Sequence, residues 1–158
     1  MKWFAVAAVS AAVVAVAVVA LRPVAETDED QIRAVITSGQ KALEAADVKG
    51  ALAVLDDDYA DGGGRKKDAM KGITFMALRR GPVIIAISDA KIDVAPGASV
   101  ATAVVTGIAL QGAASVVEAK DLLPTRGRAF EATISFVKGD AEWRITRIDG
   151  ISASFLDG

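Results

Sequence analysis

The hydrophobic period of the chain changes at Gly81-Pro82, and that switch limits the folds open to it. Before it, apolar residues recur at helical spacing. The first set is Ile32, Val35, Ile36, Ala42, Leu43 and Ala46, the second Val48, Ala51, Leu52 and Leu55, the third Met70, Ile73, Ala77 and Leu78. Thr27 or Asp28 caps the first helix, and Asp47 caps a short second one running through Leu55. Gly39, which costs about 1 kcal/mol relative to alanine inside a helix, is expected at a close packing contact. The third helix, over 66–79, ends in the order of a left-handed glycine followed by a proline that cannot extend it. Beyond Pro82 the period is two. Val83–Val94, Ser99–Gln111, Arg128–Lys138 and Glu142–Ile148 are predicted strands, with Gly139-Asp140 turning the last pair into a hairpin. Val100, Val104, Ile108 and Leu110 share one side of the second strand, with small residues opposite. The resulting class is α+β: three helices packed on one face of a curved antiparallel sheet of about four strands.

A second feature stands apart from this pattern. From Phe4 to Leu21 the only polar side chain is Ser10 and nothing is charged. The run would be about 27 Å long as a helix at about 1.5 Å per residue, within the range of a transmembrane segment. A cleaved export signal needs a shorter apolar region and a small-x-small site; cleavage after Ala25 would put Pro23 at its −3 position. The expectation is a retained signal anchor over residues 1–25 preceding a domain over 26–158. The alternatives are secretion after cleavage and a buried core helix. Lys2 and the amino terminus on one side against Arg22 on the other favour a cytoplasmic amino terminus and a periplasmic domain at a bacterial inner membrane.

The residue inventory shortens the list of chemistries. There is no cysteine, so disulfides and thiolate metal sites are excluded. Histidine is also absent, which removes the commonest general base and zinc ligand. Basic residues number 18 against 20 acidic, with no basic block suited to phosphate neutralisation, so no nucleic-acid partner is expected. Catalysis would have to rest on carboxylates, Tyr59, lysines, arginines or hydroxyls.

The stretches Asp30-Gln-Ile-Arg-Ala-Val-Ile36, Ala45-Ala-Asp-Val-Lys-Gly-Ala-Leu-Ala-Val-Leu55, Asp58-Tyr-Ala-Asp61 and Glu142-Trp-Arg-Ile-Thr146, in this order, carry a resemblance. Over residues 26–150 the chain resembles the nuclear transport factor 2-like (SnoaL-like) superfamily, and within it small bacterial envelope proteins of undefined role. The resemblance implies a cone-shaped sheet wrapped round a long helix, with an apolar pocket at its open end. It also implies an open sheet face for self-association as a homodimer or for an envelope protein partner. The chain departs from catalytic members in lacking histidine and paired pocket tyrosines. The pair of short strands usual between the second and third helices is reduced here to the triple-glycine turn.

Tyr59 and Asp61 are the candidate catalytic pair. Inside the pocket, a buried Asp61 of raised pKa would exchange a proton and the phenol would stabilise an oxyanion, as in a small lyase, isomerase or hydrolase. The structural alternative packs Tyr59 beneath the third helix and uses Asp61 to cap a turn. A pocket for a small apolar ligand would be lined by Tyr59, Val100, Val104, Phe130, Ile134 and Trp143, Trp143 reading equally as plain core. A partial calcium-loop match has Asp57 first, Asp61 fifth, Gly62 sixth and Asp68 twelfth, but Tyr59 stands where an oxygen ligand is wanted. No metal or cofactor is therefore expected, and a solvated acidic turn is the competing reading. Arg126, Arg128, Arg144 and Arg147 either clamp an acidic ligand or pair outward with Glu131 and Glu142. Asp89 and Asp93 are expected on the solvent side of the first strand. The favoured role is a membrane-anchored, non-catalytic binding or interaction domain.

Overall fold

The computed structural model describes residues 26–113 and 115–150. The apolar run at 4–21 lies outside the described residues, and among those described no helix is long and apolar enough to cross a membrane. Helix α1 spans Asp28–Glu44 and begins with a capping box: Asp30 N–H donates to Thr27 Oγ1 at 3.1 Å, and Thr27 N–H donates back to Asp30 Oδ2 at 3.1 Å. Three acidic residues in its first turn suit the positive end of the helix dipole. Ile32, Ile36 and Ala42 form its buried stripe.

Helix α2 (Val48–Ala53) is capped by Asp47, which accepts from Gly50 N–H at 2.9 Å. It stops before Leu55, short of its predicted end, because the backbone is needed elsewhere. Ile145 N–H donates to the Val54 carbonyl at 2.9 Å and Asp56 N–H to the Ile145 carbonyl at 2.8 Å, a parallel bridge onto the sheet edge. Helix α3 spans Lys67–Leu78, and the chain leaves it through Gly81 at φ +127°. Gly39 sits where α1 meets α2, and a Cβ there would lie 3.5 Å from Val54 Cγ2, an ordinary contact. The close approach expected at Gly39 is therefore absent.

Strands β1 (Val83–Asp93), β2 (Val100–Gln111), β3 (Arg128–Lys138) and β4 (Trp143–Asp149) pair antiparallel in sequence order. β1 shifts register between Ile87 and Asp89, and β3 against β4 between Ser135 and Phe136. Register shifts of this kind bend a strand and increase its twist. Between β2 and β3 lies a helix the periodicity did not announce, α4 (Val116–Arg126), capped by Ser115, which accepts from Glu118 N–H at 3.2 Å. It packs over one end of the outer sheet face, where Ile84, Leu110, Ala113 and Ala119 gather with Leu122 and Leu123. The architecture is thus α+β with four described helices, three leading into the sheet and one interrupting it.

The alternation of β2 runs opposite to expectation. Ala101, Ala103, Val105, Gly107 and Ala109 face inward, while Val100, Val104 and Ile108 face out. Bulk on the inner face is limited where the curved sheet closes round α1. At Gly107 a Cβ would collide with the Ala86 carbonyl across the bulged β1. The main core joins Ile32 and Ile36 of α1 to Leu55, Tyr59, Phe136, Trp143 and Ile145. Gln40 Nε2, donating to the Ile85 carbonyl at 2.7 Å, and Gln111 Nε2, donating to the Ala77 carbonyl at 2.9 Å, pin α1 and α3 to the sheet.

Candidate functional site

Small side chains on the inner sheet face leave space, and the helices do not fill it. A cavity of about 240 Å³ remains between sheet and helices. Its walls come from Ile36, Gly39, Gln40 and Leu43 of α1, Leu52 of α2, and Met70, Thr74 and Ala77 of α3. The sheet contributes Ile85, Ile87, Val105, Ala109, Phe130, Ala132, Ile134, Ile145 and Ile148. An apolar cavity of about 150 Å³ suffices for benzene, so the volume here is that of a small molecule below drug size.

Three polar residues reach this wall from the turn between α2 and α3: Tyr59, Asp61 and Arg65. The turn is built around Asp61, only 6 % exposed. Its Oδ1 accepts from Gly63 N–H at 2.9 Å and Arg65 N–H at 2.8 Å, and its Oδ2 from Arg65 Nε at 2.6 Å. Burial alone would raise the Asp61 pKa. The Arg65 backbone N–H, the Arg65 guanidinium and the Gly63 N–H outweigh it and hold the carboxyl below its ordinary range. That direction is opposite to the raised pKa an acid catalyst at Asp61 would need: the carboxylate is held in its ionised form and accepts three hydrogen bonds.

Tyr59 is 2 % exposed, and among the described residues nothing hydrogen-bonds its hydroxyl. Burial, then the nearby Asp61 carboxylate, push its pKa up to about 12. The phenol is therefore a neutral donor at any physiological pH. Asp61 and Tyr59 share the wall, but Asp61 is spent on the turn.

Of the other expected pocket residues, Phe130 and Ile134 line the cavity. Val100 and Val104 do not. They lie on the outer sheet face, 65 % and 38 % exposed, because the inner face of β2 is written in alanine and glycine rather than valine. Trp143 is also outside the lining. It is core, and its indole N–H donates to Asp28 Oδ1 at 3.0 Å beside Lys138 Nζ at 2.6 Å.

The calcium template is not assembled. Asp57 is exposed and paired with Lys67 Nζ at 2.8 Å, and Asp68 sits in the first turn of α3. Among the described residues no three carboxylates gather to hold a metal. The arginines do not converge either: Arg144 pairs with Glu142 at 3.4 Å and Arg147 with Asp149 at 2.6 Å. Asp89 and Asp93 are exposed, as their alternation implies. Sequence reasoning missed Arg65 and Gln40. The i,i+4 spacing of Asp61 and Arg65 across a glycine turn was the available signal for the first.

The sequence matches no family model and no curated protein. Its fold does match solved structures. A proposed dehydratase of the NTF2-like family from Streptomyces avermitilis aligns at TM-score 0.62 and 16 % identity, covering 80 % of this chain and 98 % of that one. An NTF2-like protein of unknown function from Pseudomonas putida aligns at 0.61 and 19 %, covering 77 % and 83 %. An NTF2-like protein with a cystatin-like fold from Novosphingobium aromaticivorans aligns at 0.59 and 18 %, covering 81 % and 86 %. The described domain has the NTF2-like, cystatin-like fold.

Proposed function

We propose that the domain is a non-catalytic binding module that takes up one small, mostly apolar molecule, held at a membrane by residues 4–21 as a retained anchor. In this reading residues 1–25 are the anchor and 26–158 the domain, on the periplasmic side. The supporting observation is an apolar cavity on whose wall Tyr59 and Thr74 are, among the described residues, polar side chains without a hydrogen-bond partner, Tyr59 being the larger and the more buried. Its neutral hydroxyl donates to an uncharged oxygen on the ligand, while the Asp61–Arg65 pair neutralises itself. A site built this way orients a ligand without offering it a base.

The test is calorimetric titration of the full chain in lipid nanodiscs with acetophenone and with ethylbenzene, which differ mainly in the carbonyl oxygen. Saturable binding is expected, tighter for acetophenone, with Tyr59→Phe abolishing the preference. Absence of saturable heat for either probe would sink the binding reading.

A second reading rests on the shared location of Tyr59 and Asp61 on one cavity wall. In it the domain is a small lyase, isomerase or hydrolase. It requires Asp61 to give up Arg65, so Arg65→Ala would raise turnover if it held and would only loosen the turn if it did not.

A further inference from the structure

Helix α3 has two faces with different partners. Met70, Thr74 and Ala77 look into the cavity. On the opposite side, helical spacing gathers Lys71, Gly72, Phe75, Met76 and Arg79 into one solvent-facing stripe, every member exposed. Phe75 and Met76 are adjacent, large, and 51 % and 55 % exposed. The Arg79 guanidinium sits 5.8 Å from the centre of the Phe75 ring, and Lys71 stands one turn before it.

Charge sets this helix apart from the rest of the domain. Residues 65–80 hold Arg65, Lys66, Lys67, Lys71, Arg79 and Arg80 against the single acid Asp68, in a chain whose net charge is −2. Arg65 and Lys67 are consumed by Asp61 and Asp57. Scattered exposed apolar side chains need no explanation. Two adjacent ones bracketed by cations on an otherwise acidic domain have the composition of an interfacial helix.

We propose that the outer face of α3 docks on an anionic phospholipid surface. Phe75 and Met76 enter the boundary between headgroups and acyl chains, and Lys71 and Arg79 reach the phosphates on their flexible stems. An acidic protein surface would complement the cations but gives no reason for the two apolar tips. Docking places the cavity wall formed by Met70, Thr74 and Ala77 one helix diameter from the lipid, so an apolar ligand would be exchanged with the bilayer. Only that last consequence rests on the binding reading.

The chain has no cysteine, so single-cysteine labels report cleanly. The full-length chain carrying Met76→Cys, or Val104→Cys on the outer sheet face as reference, is labelled with a nitrobenzoxadiazole fluorophore. It is reconstituted into phosphatidylcholine vesicles with and without phosphatidylglycerol, some bearing acyl-chain nitroxides. Expected is a blue shift and nitroxide quenching at position 76 that require phosphatidylglycerol. Both are lost at high salt and in the Lys71→Glu/Arg79→Glu background, with position 104 unaffected throughout. Equal signals at 76 and 104, or equal signals with and without phosphatidylglycerol, would overturn the proposal. Flotation with neutral vesicles reports the anchor separately: a chain that fails to float there lacks a tether, and phosphatidylglycerol-dependent recruitment still decides the role of α3. Circular-dichroism melts confirm that each variant is folded.

Discussion

The indole N–H of Trp143 donates to the Asp28 carboxylate at 3.0 Å, tying the first turn of α1 to the start of β4. Lys138 shares the same oxygen and lies 5.7 Å from the centre of the indole ring. The hydrogen bonds from Lys138 and Trp143 lower the Asp28 pKa. Trp143 therefore works as a structural clamp at the start of the domain and is not part of the cavity wall.

Trp143→Ala should destabilise the domain by about 3–5 kcal/mol, the usual cost of emptying a large buried aromatic site. Trp143→Phe should cost less and leave probe binding unchanged, since Trp143 is not part of the cavity wall. Urea unfolding and calorimetry on the same samples check both. Lost binding without lost stability would place Trp143 at the ligand.

Tyr59 is the only tyrosine, so an ultraviolet titration reads it alone. With its pKa pushed up to about 12, no phenolate absorbance should develop until well past the ordinary tyrosine range near about 10. The unfolded chain ionises first, so stability should be flat below about pH 10 and fall as pH rises towards 12. A phenolate step at the ordinary value would mean the phenol is not buried.

Asp61 has the opposite sign. Its folded pKa lies below the unfolded one, so its contribution is fully present above about pH 4 and is lost as pH falls through the folded value. Asp61→Asn should flatten part of the acid limb of the stability curve. Asp61→Ala, which strands two backbone N–H groups and Arg65, should cost about 1–3 kcal/mol at neutral pH. An acid limb identical in wild type and Asp61→Asn would show that the pair does not form.

Filling the cavity should separate uptake from folding. Ala132→Leu and Ala109→Val direct extra methyl groups into the open space, so the melting temperature should hold or rise while acetophenone binding falls. Binding retained by both variants, with melting unchanged, would locate the ligand elsewhere.

Protease added to intact spheroplasts should digest the domain if residues 4–21 hold it on the periplasmic side. Full protection would overturn that topology. Intact mass of the mature chain distinguishes a retained segment from a cleaved one.

Most of the fold was legible because its boundaries carry strong local chemistry. Thr27, Asp47, Gly81 with Pro82, and Gly139 between β3 and β4 each mark an element end where the structure has one. Helix α4 was not legible. Its apolar stripe is weak and Pro124 lies inside it, so no helical period stands out over residues 116–126. The faces of β2 were read backwards for a physical reason. Hydrophobicity ranks valine above alanine, but a concave face closing on a helix selects for size, and the larger side chains were left outside. At the site, Tyr59, Phe130 and Ile134 were recoverable as large apolar or amphipathic residues. The role of Asp61 depended on Arg65, whose partnership exists only once the glycine turn is folded.

The alanines of the inner sheet face carry a consequence for how such a domain can diversify. Alanine and valine codons differ by a single base, and Ala109 and Ala132 both border the cavity. A lineage carrying this scaffold can resize or reshape its interior through isolated point substitutions on two strands. The helix caps, the glycine turn and the Asp28–Trp143 clamp need not change with it. Kinship among such domains would then be kept in their architecture while their ligands drift apart.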